Sequence, residues 1–120
     1  MIVERIRKSI SSGIVIPKPE AQGDFVVKAW GRRRGESALV YSIPNHGSPR
    51  KPHEKGITES EFERAFEELR SSGELTRSWF NENLPACAKE GSCNYTTIGG
   101  IFQLLGEAAY ATRGVYECRR

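Results

Sequence analysis

Two histidines, three adjacent arginines and two closely spaced cysteines are the residues of this chain whose types and spacing could do chemistry. His46 and His53 lie in one stretch with Arg50, Lys51 and Lys55. Imidazole titrates near neutral pH, so two such rings on a basic loop could serve as acid and base in a small nuclease. No carboxylate is fixed beside either ring by spacing, and the plainer reading is two exposed loop histidines. Arg32-Arg33-Arg34 offers three guanidiniums that can straddle phosphates, with Trp30 beside them to stack on a base. The competing reading is a charged turn that keeps strand edges from pairing with other chains. Cys87 and Cys93 are five residues apart, longer than the usual spacing of a zinc knuckle. Metal binding with the histidines and a loop-closing disulfide are both weaker readings than small buried hydrophobes. No phosphate-binding loop, dinucleotide fingerprint or hydrolase elbow occurs, so no cofactor is expected.

The elements that must position these residues are legible in part. Ile2, Val3, Ile6 and Ile10 share one stripe of a helix over residues 1–12, with Gly13 as its stop. Residues 14–16 suit a short edge strand, and Pro17, Pro19 and Gly23 mark a loop. Residues 25–30 and 38–43 are rich in branched and aromatic side chains and read as a β-hairpin. Gly31 and Gly35 bracket its charged tip, which suits a connection longer than two residues. Residues 45–55 read as an extended loop.

Thr58 and Glu61 form a capping box, with Ile57 and Phe62 as its hydrophobic staple. Phe62, Ala65, Phe66 and Leu69 continue the helical stripe over residues 59–72, and Gly73 ends it. A shorter helix is capped by Thr76, anchored by Trp79 and Phe80 and limited by Pro85; Leu75 is expected to staple to Phe80. Residues 86–96 read as a loop, and Thr97 as the cap of a third helix ending at Gly106. Gly99 and Gly100 cost that helix about 1 kcal/mol each relative to alanine, so they point to close approach of another backbone or a ligand. Residues 108–118 suit a small hairpin about Thr112-Arg113-Gly114.

The expected fold is therefore a single α+β domain over residues 1–120. An N-terminal helix and antiparallel hairpin precede three short helices and a C-terminal hairpin, in winged-helix-like order. In a winged helix the third helix enters the major groove and the wing touches the backbone. Here that helix would offer only Gln103, and the wing only Arg113, with Arg119 and Arg120 beyond it.

The chain has 120 residues, 38% of them hydrophobic and 28% charged, with a net charge of +3. That composition excludes a disordered chain, and no apolar run is long enough to span a membrane. The first residues lack the apolar core of a signal peptide, and three cysteines make an unlikely disulfide scaffold, so a cytoplasmic protein is expected. Residues 1–55 hold eleven Lys/Arg against five Asp/Glu, whereas residues 56–120 hold seven against ten. The first half thus favours phosphate-bearing partners, although a solvated surface would look the same.

Two stretches carry a resemblance. The run from Trp79 through Cys87, then Cys93 to Phe102, and the earlier run Trp30 to Tyr41, resemble small bacterial proteins of mobile elements such as integron gene cassettes. The resemblance covers about half the chain. It implies a soluble accessory protein and assigns no catalytic residue. The expectation is a non-enzymatic binding module. Its nucleic-acid contacts would be Trp30, Arg32, Arg33, Arg34, Arg50, Lys51, Lys55 and Arg113. The alternatives are a nuclease using His46 or His53, and a protein-interaction adaptor or homodimer that binds no nucleic acid.

Overall fold

The computed structural model describes residues 1–21, 23–44, 47 and 50–119. Helix α1 (Ile2–Ser9) buries Ile2, Val3 and Ile6, the stripe visible in the sequence. It ends before Gly13, because Ile10 is already extended. Gly13, at φ 92°, turns the chain into strand β1 (Val15–Ile16). Strands β2 (Phe25–Arg33), β3 (Glu36–Ile43) and β4 (His53–Thr58) complete an antiparallel sheet in the order β1-β2-β3-β4. β3 is central and buried at Ala38, Leu39, Val40 and Tyr41, as expected of a strand apolar on both faces.

Two features of this sheet differ from the sequence reading. β2 runs on through the arginines to Arg33, which pairs with Glu36. The tip is therefore a two-residue turn, Arg34-Gly35, with φ of 51° and 78°. Positive φ at both central residues matches the twist of a tight hairpin. Strand β4 occupies part of the expected loop. Its sequence, HEKGIT, lacks alternation over its first half, so the pattern gives no strand signal.

Helix α2 (Glu59–Ser72) has both bonds of the capping box, and Gly73 closes it at φ 90°. A three-residue strand, β5 (Glu74–Thr76), follows, so Leu75 is a buried strand residue. Helix α3 (Arg77–Asn83) begins at Thr76, whose hydroxyl accepts from the Trp79 amide. Pro85 does not merely limit α3. It opens another helix, α4 (Pro85–Glu90), where its missing N–H and fixed φ suit the first turn. Helix α5 (Asn94–Leu104) starts three residues before the expected Thr97 cap, and Thr97 is buried inside it. Strands β6 (Ala108–Thr112) and β7 (Val115–Cys118) form the C-terminal hairpin. With β5 they make a second antiparallel sheet, ordered β5-β7-β6.

One buried cluster links the two halves. It includes Ile6, Leu39 and Tyr41 from the first half and Phe62, Tyr95 and Tyr116 from the second. Helix α5 lies at its centre, with Tyr95, Ile98, Gly99, Gly100, Ile101 and Phe102 all buried. A helix buried along most of its length is a core element. The two glycines explain how it fits. A Cβ on Gly99 would overlap the Tyr116 ring, and one on Gly100 would lie 2.6 Å from the Pro17 carbonyl oxygen. Four helices rather than three thus lie between Glu59 and Leu104. The α+β class holds, while the helix expected to face outward is the most enclosed. No helix among the described residues is long and apolar enough to cross a membrane.

Candidate functional site

The arginine tip is the first place to look, and it is not free. Arg34 donates from Nε and Nη2 to the two carboxylate oxygens of Glu61, both at 2.8 Å. Its Nη1 donates to Glu90 Oε1 at 2.8 Å, and Nη2 also reaches the Gly56 carbonyl. Arg33 Nε donates to Glu90 Oε2 at 3.1 Å. Lys55 Nζ donates to the Glu90 carbonyl at 2.6 Å. Burial alone would raise the Glu61 carboxyl, but Arg34 and the Thr58 amide outweigh it and hold it below the usual range. Glu90 is lowered in the same way, against its burial, by Arg34, the Gly56 amide and Arg33. Arg33, Arg34 and Lys55 thus tie the first sheet to α2 and α4. Sequence spacing hides this because Glu61 and Glu90 lie 27 and 56 residues from Arg34.

The other expected contacts are dispersed. Trp30 lies under the Arg7 guanidinium, whose carbon is 3.8 Å from the ring centroid. Arg32 donates to the Gly35 carbonyl and stays exposed. Arg50 and Lys51 are exposed beyond the first sheet. His53 begins β4 opposite Ile43 and is exposed, whereas His46 lies outside the described residues. Cys87 is buried, and burial beside Glu61 pushes its thiol well above its ordinary value. Among the described residues no three metal-ligating side chains gather.

Arg113 alone of these residues lines a sizeable cleft, of about 590 Å³. Three elements converge on it: the loop between β1 and β2, the start of α3, and the β6–β7 turn. The loop contributes Lys18 and Glu20, α3 contributes Arg77, and the turn contributes Arg113. Phe25 and Tyr110 supply apolar wall, and Thr96 of α5 supplies a hydroxyl. The backbone explains why two of these cations adjoin. The Arg77 amide donates to the Gly114 carbonyl at 3.0 Å, next to Arg113 in sequence. Arg77 is steadied by one bond from Nη1 to the Ser92 carbonyl and by the Tyr95 ring, 4.7 Å from its guanidinium carbon. A guanidinium has five N–H donors, so most of the Arg77 donors remain for a ligand.

Lys18 forms the inner wall. Its Nζ donates to the Cys93 carbonyl at 2.9 Å, Thr96 Oγ1 at 2.8 Å and Thr97 Oγ1 at 2.7 Å. The Phe25 ring centroid is 4.4 Å away. Among the described residues no carboxylate lies within ion-pairing distance of it. Burial brings the Lys18 amine down to about 7; Cys93 opposes the change and Arg77 adds to it. Below it, the Tyr41 hydroxyl donates to Asn94 Oδ1 at 2.5 Å, and Asn94 Nδ2 donates to the Cys87 carbonyl. Burial keeps the Tyr41 hydroxyl protonated well past its ordinary range. Among the described residues the cleft therefore carries three basic side chains and one carboxylate, above a satisfied polar core.

Lys18 and Arg77 escape sequence reading because nothing near them in the chain marks them. Lys18 is a lone lysine in a proline-rich loop, and Arg77 looks like a helix-start residue. Comparison with protein-family models, with curated proteins and with solved structures finds no match.

Proposed function

We propose that this protein is a binding module for an oxyanion-bearing ligand, a carboxylate or phosphate, received in the cleft between Lys18, Arg77 and Arg113. The observation that carries this reading is the convergence of three basic side chains from separate elements on one cleft whose lining, among the described residues, holds a single carboxylate, Glu20. Ligand sites are commonly clefts of roughly 300–1,000 Å³, mostly apolar with a few convergent polar groups. Arg77 and Arg113 suit the direct contacts, because a guanidinium presents paired donors to a carboxylate or phosphate. Lys18 contributes field rather than a fresh hydrogen bond while its three protons face internal acceptors.

A nucleic-acid strand is one carrier of such a group, and this reading moves its contact from the hairpin tip to the cleft. Binding at the tip would require Arg33 and Arg34 to leave Glu61 and Glu90, and so to give up several charge-assisted hydrogen bonds, most of them at part-buried positions. Calorimetric titration tests the proposal, with inorganic phosphate, succinate and short single-stranded DNA and RNA as separate ligands at low salt. Arg77→Ala and Arg113→Ala are each expected to weaken binding of at least one ligand about tenfold, while Arg32→Ala leaves it unchanged. Loss with Arg32→Ala alone would return the contact to the tip. No binding by any of these ligands would end the reading.

A further inference from the structure

The cleft holds two signs of charge that do not meet. Glu20 stands on the loop between β1 and β2, Arg77 at the start of α3 and Arg113 on the β6–β7 turn. Among the described residues none of the ion pairs involves any of the three. The hairpin tip differs, since Arg33 and Arg34 are closed on Glu61 and Glu90 there. Within the described residues the Arg113 guanidinium makes no hydrogen bond and the Glu20 carboxylate accepts none. Arg77 spends one donor on the Ser92 carbonyl. A ligand with negative charge alone would answer the arginines and be repelled by Glu20, because like charges facing each other oppose binding. A ligand that also carried an ammonium would turn that carboxylate from a cost into a contact. The remaining wall is aromatic. Phe25 is stacked on Tyr41, with 6.2 Å between ring centroids, and Tyr110 meets Tyr116 edge-on at 5.6 Å. Each ring is thus held by a buried neighbour while it lines the cleft. Rings fixed in this way suit an aromatic or other apolar body.

We infer that the cleft receives a zwitterion, a small molecule of amino-acid type. Its anionic group lies on Arg77 and Arg113, its ammonium on Glu20, and its apolar body along Phe25 and Tyr110. The inference rests on the anion-binding reading of the cleft and adds the second charge and the body of the ligand. Lys18 takes no contact with the ligand, because its three protons are bonded to Cys93, Thr96 and Thr97. Specificity then comes from the separation of the signs. An anion lacking the ammonium leaves Glu20 unanswered, and an amine lacking the anion faces two guanidiniums.

Calorimetric titration at low salt compares two zwitterions with the same skeletons bearing one charge. Phenylalanine is set against hydrocinnamate, which lacks the ammonium, and phenethylamine, which lacks the carboxylate. Para-aminomethylbenzoate, whose charges stand at opposite ends of the ring, is set against para-toluate and benzylamine. At least one zwitterion is expected to bind about tenfold tighter than both of its singly charged counterparts. Glu20→Gln changes an exposed loop residue and is expected to abolish that advantage. The matching anion should bind this variant no more weakly than it binds wild type. Arg113→Ala is expected to weaken zwitterion and anion alike. If each anion binds as tightly as its zwitterion, the inference is overturned and the anion site stands. Equal weakening of zwitterion and anion by Glu20→Gln would also overturn it, since that residue would then only shape the cleft. If inorganic phosphate or succinate binds and none of the aromatic compounds does, the inference again falls without the anion site. No binding by any of these compounds would end both.

Discussion

At Arg34 the side chain holds the backbone in a conformation that non-glycine residues seldom adopt, φ 51°. Its bonds to Glu61, Glu90 and the Gly56 carbonyl outweigh a strain of about 1 kcal/mol. Arg34→Ala leaves the strain and removes the bonds to the Glu61 carboxylate, so a loss of about 2 kcal/mol is expected from urea unfolding. Arg34→Gly should lose about 1 kcal/mol less, because glycine accepts positive φ. The same pair sets a pH dependence. Glu61 and Glu90 sit below the ordinary carboxylate value in the fold. Their contribution is complete above the unfolded value of about 4.3, and it falls away as pH drops from there toward the lower folded values. Unfolding measured between pH 6 and 3 should show a shallower acid loss for Arg34→Ala than for wild type. Lys18 works in the opposite half of the scale. Its amine is lowered in the fold to about 7, so the unfolded chain binds more protons between about 7 and 10. Stability attributable to Lys18 therefore rises with pH through that window, and the difference between wild type and Lys18→Met should shift in favour of wild type by pH 10.

Helix α5 is the element on which the rest is assembled. Its glycines are packing sites, and Gly99 meets the Tyr116 ring of β7 while Gly100 meets the turn after β1. Alanine would gain about 1 kcal/mol of helix propensity at each. Overpacking against a ring and a backbone should exceed that gain, so Gly99→Ala and Gly100→Ala are each expected to lower stability by about 1–2 kcal/mol in thermal unfolding. These two glycines were legible in the sequence as points of close approach. So were α2, its capping box, the hairpin strands and the C-terminal hairpin, since each rests on local periodicity or caps. The start of α5 was not, because Asn94 lies buried and Cys93 supplies no side-chain cap. Nor were β4, β5 and α4. Three short or weakly patterned segments owe their structure to the strands and helices beside them rather than to their own composition.

Across the whole molecule, charge is sorted between two uses. The tip arginines join the first sheet to α2 and α4 through Glu61 and Glu90, while Lys18, Arg77 and Arg113 surround the cleft. Residue type alone could not separate these uses, because both depend on contacts between residues far apart in the chain. Arg113 was legible as a basic residue on a turn, whereas Lys18 and Arg77 become visible only when β7 pairs with β5 and the β1–β2 loop lies against α5. The most direct test of the cleft is to add inorganic phosphate to isotopically labelled protein at low salt and follow backbone amide shifts by NMR. The account predicts saturable shifts gathered at Arg77, Ser92, Thr96, Tyr110 and Gly114, which fade as salt screens the exposed arginines. Shifts gathered instead at Arg32 to Gly35 would contradict it, as would no saturable shift at all.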